Sequence, residues 1–191
     1  MGLTIPRLGR GRPGRLPGAG RRANILAVST AAVITISDSR SAGLAEDTSG
    51  PAAAEELRRM GLDIRRQLLV PDEPGQIAQA VRSLIGQVGI VVTTGGTGIG
   101  PRDVTPEAIR PLLTRELPGF GEIMRTGSFA RTPLSIISRG GAGVADRTLV
   151  IMLPGSPRGV RESLSLLGPA IQHVLKVLAE GRLDCQKETA V

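Results

Sequence analysis

Along the chain, short apolar runs alternate with stretches in which apolar residues return every three or four positions. Residues 31–36 (AAVITI), 89–94 (GIVVTT) and 148–153 (TLVIML) are continuous apolar runs of strand length. Such runs suit strands buried on both faces of a parallel sheet. Residues 64–70 read as another strand, and 134–138 (LSIIS) as a further one. Helical spacing fills the gaps. After Thr48-Ser49-Gly50-Pro51, a helix presents Ala54, Leu57 and Met60 on one face and ends at Gly61. Ile77, Val81, Leu84 and Ile85 form one stripe up to Gly86, and Ile109, Leu112 and Leu113 mark a shorter helix. Two last helices are expected at 158–167 and 169–179, the second turning Ile171, Val174, Leu175 and Leu178 inward. Strands alternating with helices predict right-handed crossovers and an α/β three-layer sandwich, a mostly parallel central sheet with helices on both faces.

The polar residues of interest follow the strands. In open parallel sheets ligands gather beyond the carboxyl ends of the strands. Ser37 and Asp38 follow the first strand, where they either form a turn with side-chain hydrogen bonds or line a crevice. Asp72, in Pro71-Asp72-Glu73-Pro74, either caps the next helix or serves a site. Thr94-Gly95-Gly96-Thr97-Gly98 follows the third strand and leads through Arg102 and Asp103 to Thr105-Pro106-Glu107, the form of a helix start with Thr105 as N-cap. Glycines bring bare backbone N–H groups close to a ligand, and threonines add hydroxyls. Ser156-Pro157 repeats the arrangement after 148–153, with Ser156 as N-cap. Two helix N-termini at strand ends favour an anion such as phosphate.

Composition narrows the choice. Of a net charge of +7 over 191 residues, six positive charges are arginines in the first 22 residues, which hold no acid, leaving +1 for the rest. Residues 1–22 are therefore expected to be a basic Gly/Pro/Arg-rich disordered tail, 23–180 one α/β domain and 181–191 a polar tail. Nucleic acid is an unlikely partner for such a nearly neutral body. Phe120 and Phe129 are the only aromatic residues, too few for base stacking. With Cys185 and His173 the only residues of their kinds, an intrachain disulfide is impossible and a Cys-His dyad is not expected; His173 reads as an exposed helix residue. Arg21-Arg22 before ANILAVSTAAVITI resembles a twin-arginine leader, but Asn24, Ser29, Thr30 and Thr35 interrupt the run, and it continues into the first core strand. A cytoplasmic protein with no membrane span is expected.

The glycine loop fits neither common nucleotide pattern. It lacks the Gly-Lys-Ser/Thr of a Walker loop, and Gly96, Gly98, Pro101 misses the third glycine of the dinucleotide pattern. Asp72 and Asp103, both on strand-end loops, could instead hold Mg²⁺, which takes one or two carboxylates plus substrate phosphates and water. Nucleotidyl transfer could then proceed by positioning and charge neutralisation, without a Ser-His or Cys nucleophile.

Several ordered motifs together carry a family resemblance over residues 30–180. They are SD after the first strand, VPDE, TTGGTG with RDVTPEA, PGFGE at 118–122, and SRGGAGVADRTLVIMLPGSP at 138–157. The sequence resembles the molybdopterin adenylyltransferase family, the Mog-type and MoaB-type group that includes the gephyrin G domain. The resemblance implies a homotrimer that attaches AMP from ATP to molybdopterin with Mg²⁺, releases pyrophosphate and hands the product to a molybdenum-insertion protein. It implies Asp72 and Asp103 as metal and catalytic carboxylates. Thr94, Gly95, Gly96, Thr97, Gly98, Arg102 and Ser156 would bind nucleotide or molybdopterin phosphate, with Ser37 and Asp38 at the crevice rim. A non-catalytic molybdopterin-binding or scaffolding trimer of the same fold is the alternative. The chain departs from the family pattern in SDSRSAG, which displaces Arg40 by one residue, in Ile99-Gly100-Pro101, and in the basic tail.

Overall fold

A computed structural model describes residues 29–180; the two tails, residues 23–28, the arginine pair and Cys185 lie outside the described residues. The elements are β1 (Thr30–Ile36), α1 (Asp38–Ser41), α2 (Ser49–Arg59), β2 (Asp63–Val70), α3 (Pro74–Leu84), β3 (Ile90–Thr94), α4 (Thr105–Ile109), β4 (Arg115–Glu116), α5 (Pro118–Phe129), β5 (Gly141–Ala145), β6 (Thr148–Leu153) and α6 (Pro157–Glu180). Single 3₁₀ turns lie at Arg110–Leu112 and Pro133–Ile137. The sheet order is β2-β1-β3-β6-β5-β4. The first four strands are parallel, and β5 and β4 are antiparallel to their neighbours.

The two-residue period of the strands divides the core into two layers. Ala31, Val33, Ile90, Val92, Leu149, Ile151 and Leu153 face α2, α5 and α6, where Leu57, Met124, Leu164 and Ile171 meet them. The alternate residues Ala32, Ile34, Ile36, Val91, Val150 and Met152 face α3 and α4, against Ile77, Val81 and Ile109. Each fully buried Leu or Ile contributes about 1.5–3 kcal/mol relative to exposure, and neither face of β1, β3 or β6 is left to water. Helices on both faces of a mostly parallel sheet give the three-layer α/β arrangement expected. Because β1, β2, β3 and β6 run the same way, the segments after them emerge along one edge of the sheet. After β1 the chain goes to β2 on one side, and β3 lies on the other. This is the kind of divergence at which a crevice opens.

Four expectations are corrected. Residues 134–138 are not a strand. They form the 3₁₀ turn after Pro133, with Leu134 74%, Ile136 56% and Ile137 45% exposed, so nothing buries them in the sheet. The strand lies just beyond, at the glycine-rich 141–145, where a Cβ on Gly143 would stand 2.6 Å from the Arg115 carbonyl oxygen. Only glycine lets β4 approach that closely.

The two last helices are one. α6 runs unbroken through Pro169, and Val160, Leu164, Leu167, Ile171 and Leu175 stay on one buried face. Packing along that stripe outweighs the hydrogen bond the proline cannot make. Thr105 lies inside α4 rather than before it, and its hydroxyl is spent on the glycine loop. His173 is half-buried rather than exposed. Among the described residues no helix is long and apolar enough to cross a membrane.

Candidate functional site

The glycine loop is fixed from beneath. Gly95 has φ +104°, and a Cβ there would overlap the Ile36 carbonyl oxygen at the end of β1. Gly96, at φ +62°, lies against the Thr105 hydroxyl, and a Cβ would stand 3.0 Å from Asp72 Oδ1. Both positions therefore need glycine for conformation and for space. Thr105 closes the underside: its hydroxyl donates to Gly95 O at 2.8 Å and its N–H to Gly96 O at 3.0 Å. The Thr94 hydroxyl is buried and donates to Pro154 O at 2.7 Å, which ties the ends of β3 and β6 rather than facing solvent.

On one side of the loop lies a carboxylate cluster. Asp38 N–H donates to Asp72 Oδ2 at 2.8 Å, and Asp72 N–H donates to Asp38 Oδ1 at 3.0 Å. Arg102 clamps Asp38 through Nε at 2.9 Å and Nη2 at 3.0 Å, and Nη2 also reaches Glu73 at 2.7 Å. Its Nη1 makes no hydrogen bond among the described residues and so remains available to an anion. Hydrogen bonds from Arg102 and from the Asp72 N–H hold the Asp38 carboxyl below its ordinary value of 3.8. Partial burial pushes Asp72 above 3.8, with the nearby charges of Asp38 and Asp103 adding to the rise. Asp103 Oδ2 accepts the Gly100 N–H at 2.8 Å, and Cβ atoms on Gly98 or Gly100 would stand 2.7 and 2.9 Å from that oxygen. Each of Asp72 and Asp103 thus commits one oxygen to a backbone N–H and leaves the other without a hydrogen bond among the described residues.

That donor set bears on a metal. Among the described residues no group of three or more His, Cys, Asp or Glu forms a cage of its own. Two carboxylates with one uncommitted oxygen each suit a Mg²⁺ ion completed by substrate phosphates and water.

On the other side of the loop lies a cavity of about 350 Å³, lined in part by Thr97, Gly98, Ile137, Ser138, Ser156 and Arg158. Ser156 caps α6 as expected, its Oγ accepting the Gly159 N–H at 3.1 Å. A Cβ on Gly155 would stand 3.2 Å from Gly95 Cα, so the turn after β6 packs against the loop. The α6 N-terminus therefore opens into the cavity while Asp38 and Asp72 stand across the loop from it. Ser37 accepts the Arg40 N–H at 3.4 Å and caps α1, behind Asp38.

Sequence reading missed two members of this assembly. One is the cavity wall that includes Thr132, Leu134, Ser135, Ile137 and Ser138, where the sequence pattern predicts a strand over 134–138. The other is Arg139, whose guanidinium donates to Gly98 O at 2.7 Å, to Asp103 O and to Glu107. No local pattern announces it, because its partners are carbonyls more than thirty residues away.

Comparison with known proteins is consistent along most of the chain. The family described as "Probable molybdopterin binding domain" matches residues 32–173. A molybdopterin adenylyltransferase of Helicobacter pylori is 39% identical over 150 residues, covering 76% of this chain and 85% of that protein. A molybdenum cofactor biosynthesis bifunctional protein of Chlorobaculum tepidum is 40% identical over 149 residues, or 77% of this chain. The chain spans about half the length of that relative, 47%. The crystal structure of a molybdopterin biosynthesis protein from Mycobacterium abscessus superposes with a TM-score of 0.76 at 37% identity, covering 82% of this chain and 99% of that one.

Proposed function

The chain belongs to the molybdopterin-binding domain family, and from that membership we propose that it acts in molybdenum cofactor biosynthesis as a molybdopterin adenylyltransferase. A phosphate oxygen of molybdopterin attacks the α-phosphorus of ATP, and pyrophosphate leaves. The observation that carries this reading is the pair of carboxylates, Asp72 and Asp103, each offering one uncommitted oxygen beside the same glycine loop.

The attacking oxygen already bears charge, so no strong base is required, and the protein's task is to bring two polyanions together. The backbone N–H groups of 96–98 and the free Nη1 of Arg102 receive nucleotide phosphate, the Gly95 N–H being taken by Leu153 O. Thr97 and Ser156, with the α6 N-terminus, receive molybdopterin in the cavity. Asp72 and Asp103 would hold Mg²⁺, which supplies charge neutralisation at the transferring phosphate. The fixed loop carries these groups without reorganisation as charge shifts to the leaving pyrophosphate.

A homotrimer in the cytoplasm that passes its product to a molybdenum-insertion protein belongs to the same reading. Exposed Ile123, Phe129 and Ile136 offer apolar surface for such an assembly.

The test is incubation with molybdopterin, ATP and Mg²⁺, measuring pyrophosphate and adenylylated pterin, with mass in solution measured alongside. Stoichiometric formation of both products is expected, from a particle of three 19.9 kDa chains. Tight molybdopterin binding without pyrophosphate would replace the enzyme by a binding or scaffolding protein.

A further inference from the structure

Arg139 stands where the cavity wall meets the glycine loop. Its backbone N–H donates to Thr97 O at 2.8 Å, Nε to Gly98 O at 2.7 Å, Nη2 to Asp103 O and Nη1 to the Glu107 carboxylate. One residue thus grips the loop where it leaves Thr97 and again where it arrives at Asp103. The side chain is two-thirds buried, and its charge is matched by Glu107. Bonds from a guanidinium to carbonyls are charge-assisted, and the planar fork reaches several acceptors that a lysine's single ammonium cannot span together.

The residues just before Arg139 belong to the cavity. Leu134, Ser135, Ile137 and Ser138 line it opposite Thr97 and Gly98. That wall is anchored to α5, since Arg125 donates to Ser138 O and Gly140 O, both at 3.2 Å, and Ser135 Oγ donates to Arg125 O at 2.9 Å. A ligand in the cavity presses on a wall and a loop that Arg139 joins. At the far end of the same loop is the Asp103 carboxylate, with the Gly100 N–H bonded to it.

We propose that Arg139 is a positioning residue that couples filling of the cavity to the placement of Asp103, so that the molybdopterin side of the site sets the geometry of the nucleotide side. The coupling of two ligands rests on the adenylyltransferase reading above; the grip on the loop does not. Arg139 touches no reacting atom. It acts through the loop carbonyls and is not itself among the residues that line the cavity.

The experiment compares the full chain with Arg139→Lys and Arg139→Ala by amide hydrogen exchange of the unliganded protein, molybdopterin affinity and steady-state kinetics. The Gly100 amide is expected to exchange at least about tenfold faster in both variants, while the amides of β3 keep the parent's rates. Molybdopterin affinity is expected to stay within about threefold and kcat to fall roughly 30- to 100-fold, the scale of an ångström-sized misplacement. Millimolar guanidinium should restore part of kcat to Arg139→Ala and none to Asp103→Asn. Unchanged Gly100 exchange overturns the proposal, whether or not the parent turns over. So does a kcat within twofold of a competent parent, or a kcat that falls only in step with affinity and without guanidinium rescue. A parent that makes no adenylylated pterin rejects the adenylyltransferase reading instead, and the exchange rates then decide Arg139's role.

Discussion

Asp38 and Asp72 hold each other twice, each backbone N–H donating to the other's carboxylate at 2.8 and 3.0 Å. The exchange joins the ends of β1 and β2 two residues beyond the last registered pair, Ile36 with Val70. It also decides which Asp72 oxygen is left over. Asp38→Ala deletes the acceptor of the Asp72 N–H and the partner of the Arg102 fork together. We predict that the Mg²⁺-ATP concentration for half-saturation rises about tenfold, the low end of the loss that follows removal of a partner orienting a metal ligand, while molybdopterin affinity is kept. Titration calorimetry with a non-hydrolysable ATP analogue measures the first, and equal affinities in mutant and parent would remove Asp38 from the nucleotide side. The Asp38 carboxyl is held below 3.8, so its contribution to folding is complete above that pH and is lost as pH falls through the lower folded value.

Asp72 has the opposite sign. Burial first, then the charges of Asp38 and Asp103, raise its carboxyl above 3.8 against the lowering effects of the Asp38 N–H and Arg102. A carboxyl whose folded pKa is raised costs stability while it is ionised, and that cost vanishes as pH falls through the folded value to below 3.8. Asp72→Asn keeps an acceptor for the Asp38 N–H and removes the charge. We predict a variant that melts higher than the parent at pH 7, converges with it toward pH 3.5, and has lost adenylyl transfer. Melting curves across that range test it; a lower melting point for the variant at pH 7 would contradict the assignment. Stability and function are opposed at this position, as expected for a group placed for chemistry.

The two core faces and the strand-end location of the site were legible in the sequence because both follow from local regularities. The apolar runs of β1, β3 and β6 signal burial on both faces, and each polar motif follows directly on a strand. The region from 130 to 145 was not legible. LSIIS has the composition of a strand and GAGVA does not, yet the second lies between β6 and β4, and glycine at 143 leaves the room that the Arg115 carbonyl of β4 takes. Composition measures the preference of a side chain, while here the decisive quantity was the space between two backbones. Pro169 misled for the converse reason, since the stripe on α6 is longer than any local rule about proline. Arg139 and the Thr94–Pro154 bond are contacts between distant segments, and no spacing within one segment encodes them.

Gly95 tests the steric account of the loop. Its φ of +104° and its approach to the Ile36 carbonyl oxygen exclude a side chain on two independent grounds. Gly95→Ala must rotate the backbone and push the loop off β1, with a predicted loss of about 2–3 kcal/mol and, for a chain of this size, a melting point lower by roughly 5–10 °C. Gly75→Ala is the control, because a Cβ there meets nothing within 4 Å and the residue lies inside α3. It should hold or slightly raise the melting point, Ala being the better helix former. Thermal unfolding of the two variants side by side decides the matter, and equal melting points would mean that the loop does not need this glycine.

Asp103 separates chemistry from binding. Its Oδ2 accepts the Gly100 N–H at 2.8 Å, and it lies against Gly98 and Gly100. Asp103→Asn keeps an oxygen for Gly100 and nearly the same volume, so the loop and the cavity should survive the change. What is lost is the negative charge that would hold Mg²⁺ beside the transferring phosphate. We predict that kcat falls about 100- to 1,000-fold, the scale on which removal of one preorganised electrostatic contact acts on a transition state, whereas molybdopterin affinity and melting temperature change little. Added Mg²⁺ should raise the melting temperature of the ATP-analogue complex of the parent and not that of the variant. A variant that turns over at the parent's rate would remove Asp103 from the mechanism. A variant that loses molybdopterin affinity and turnover together would make it a determinant of loop shape instead.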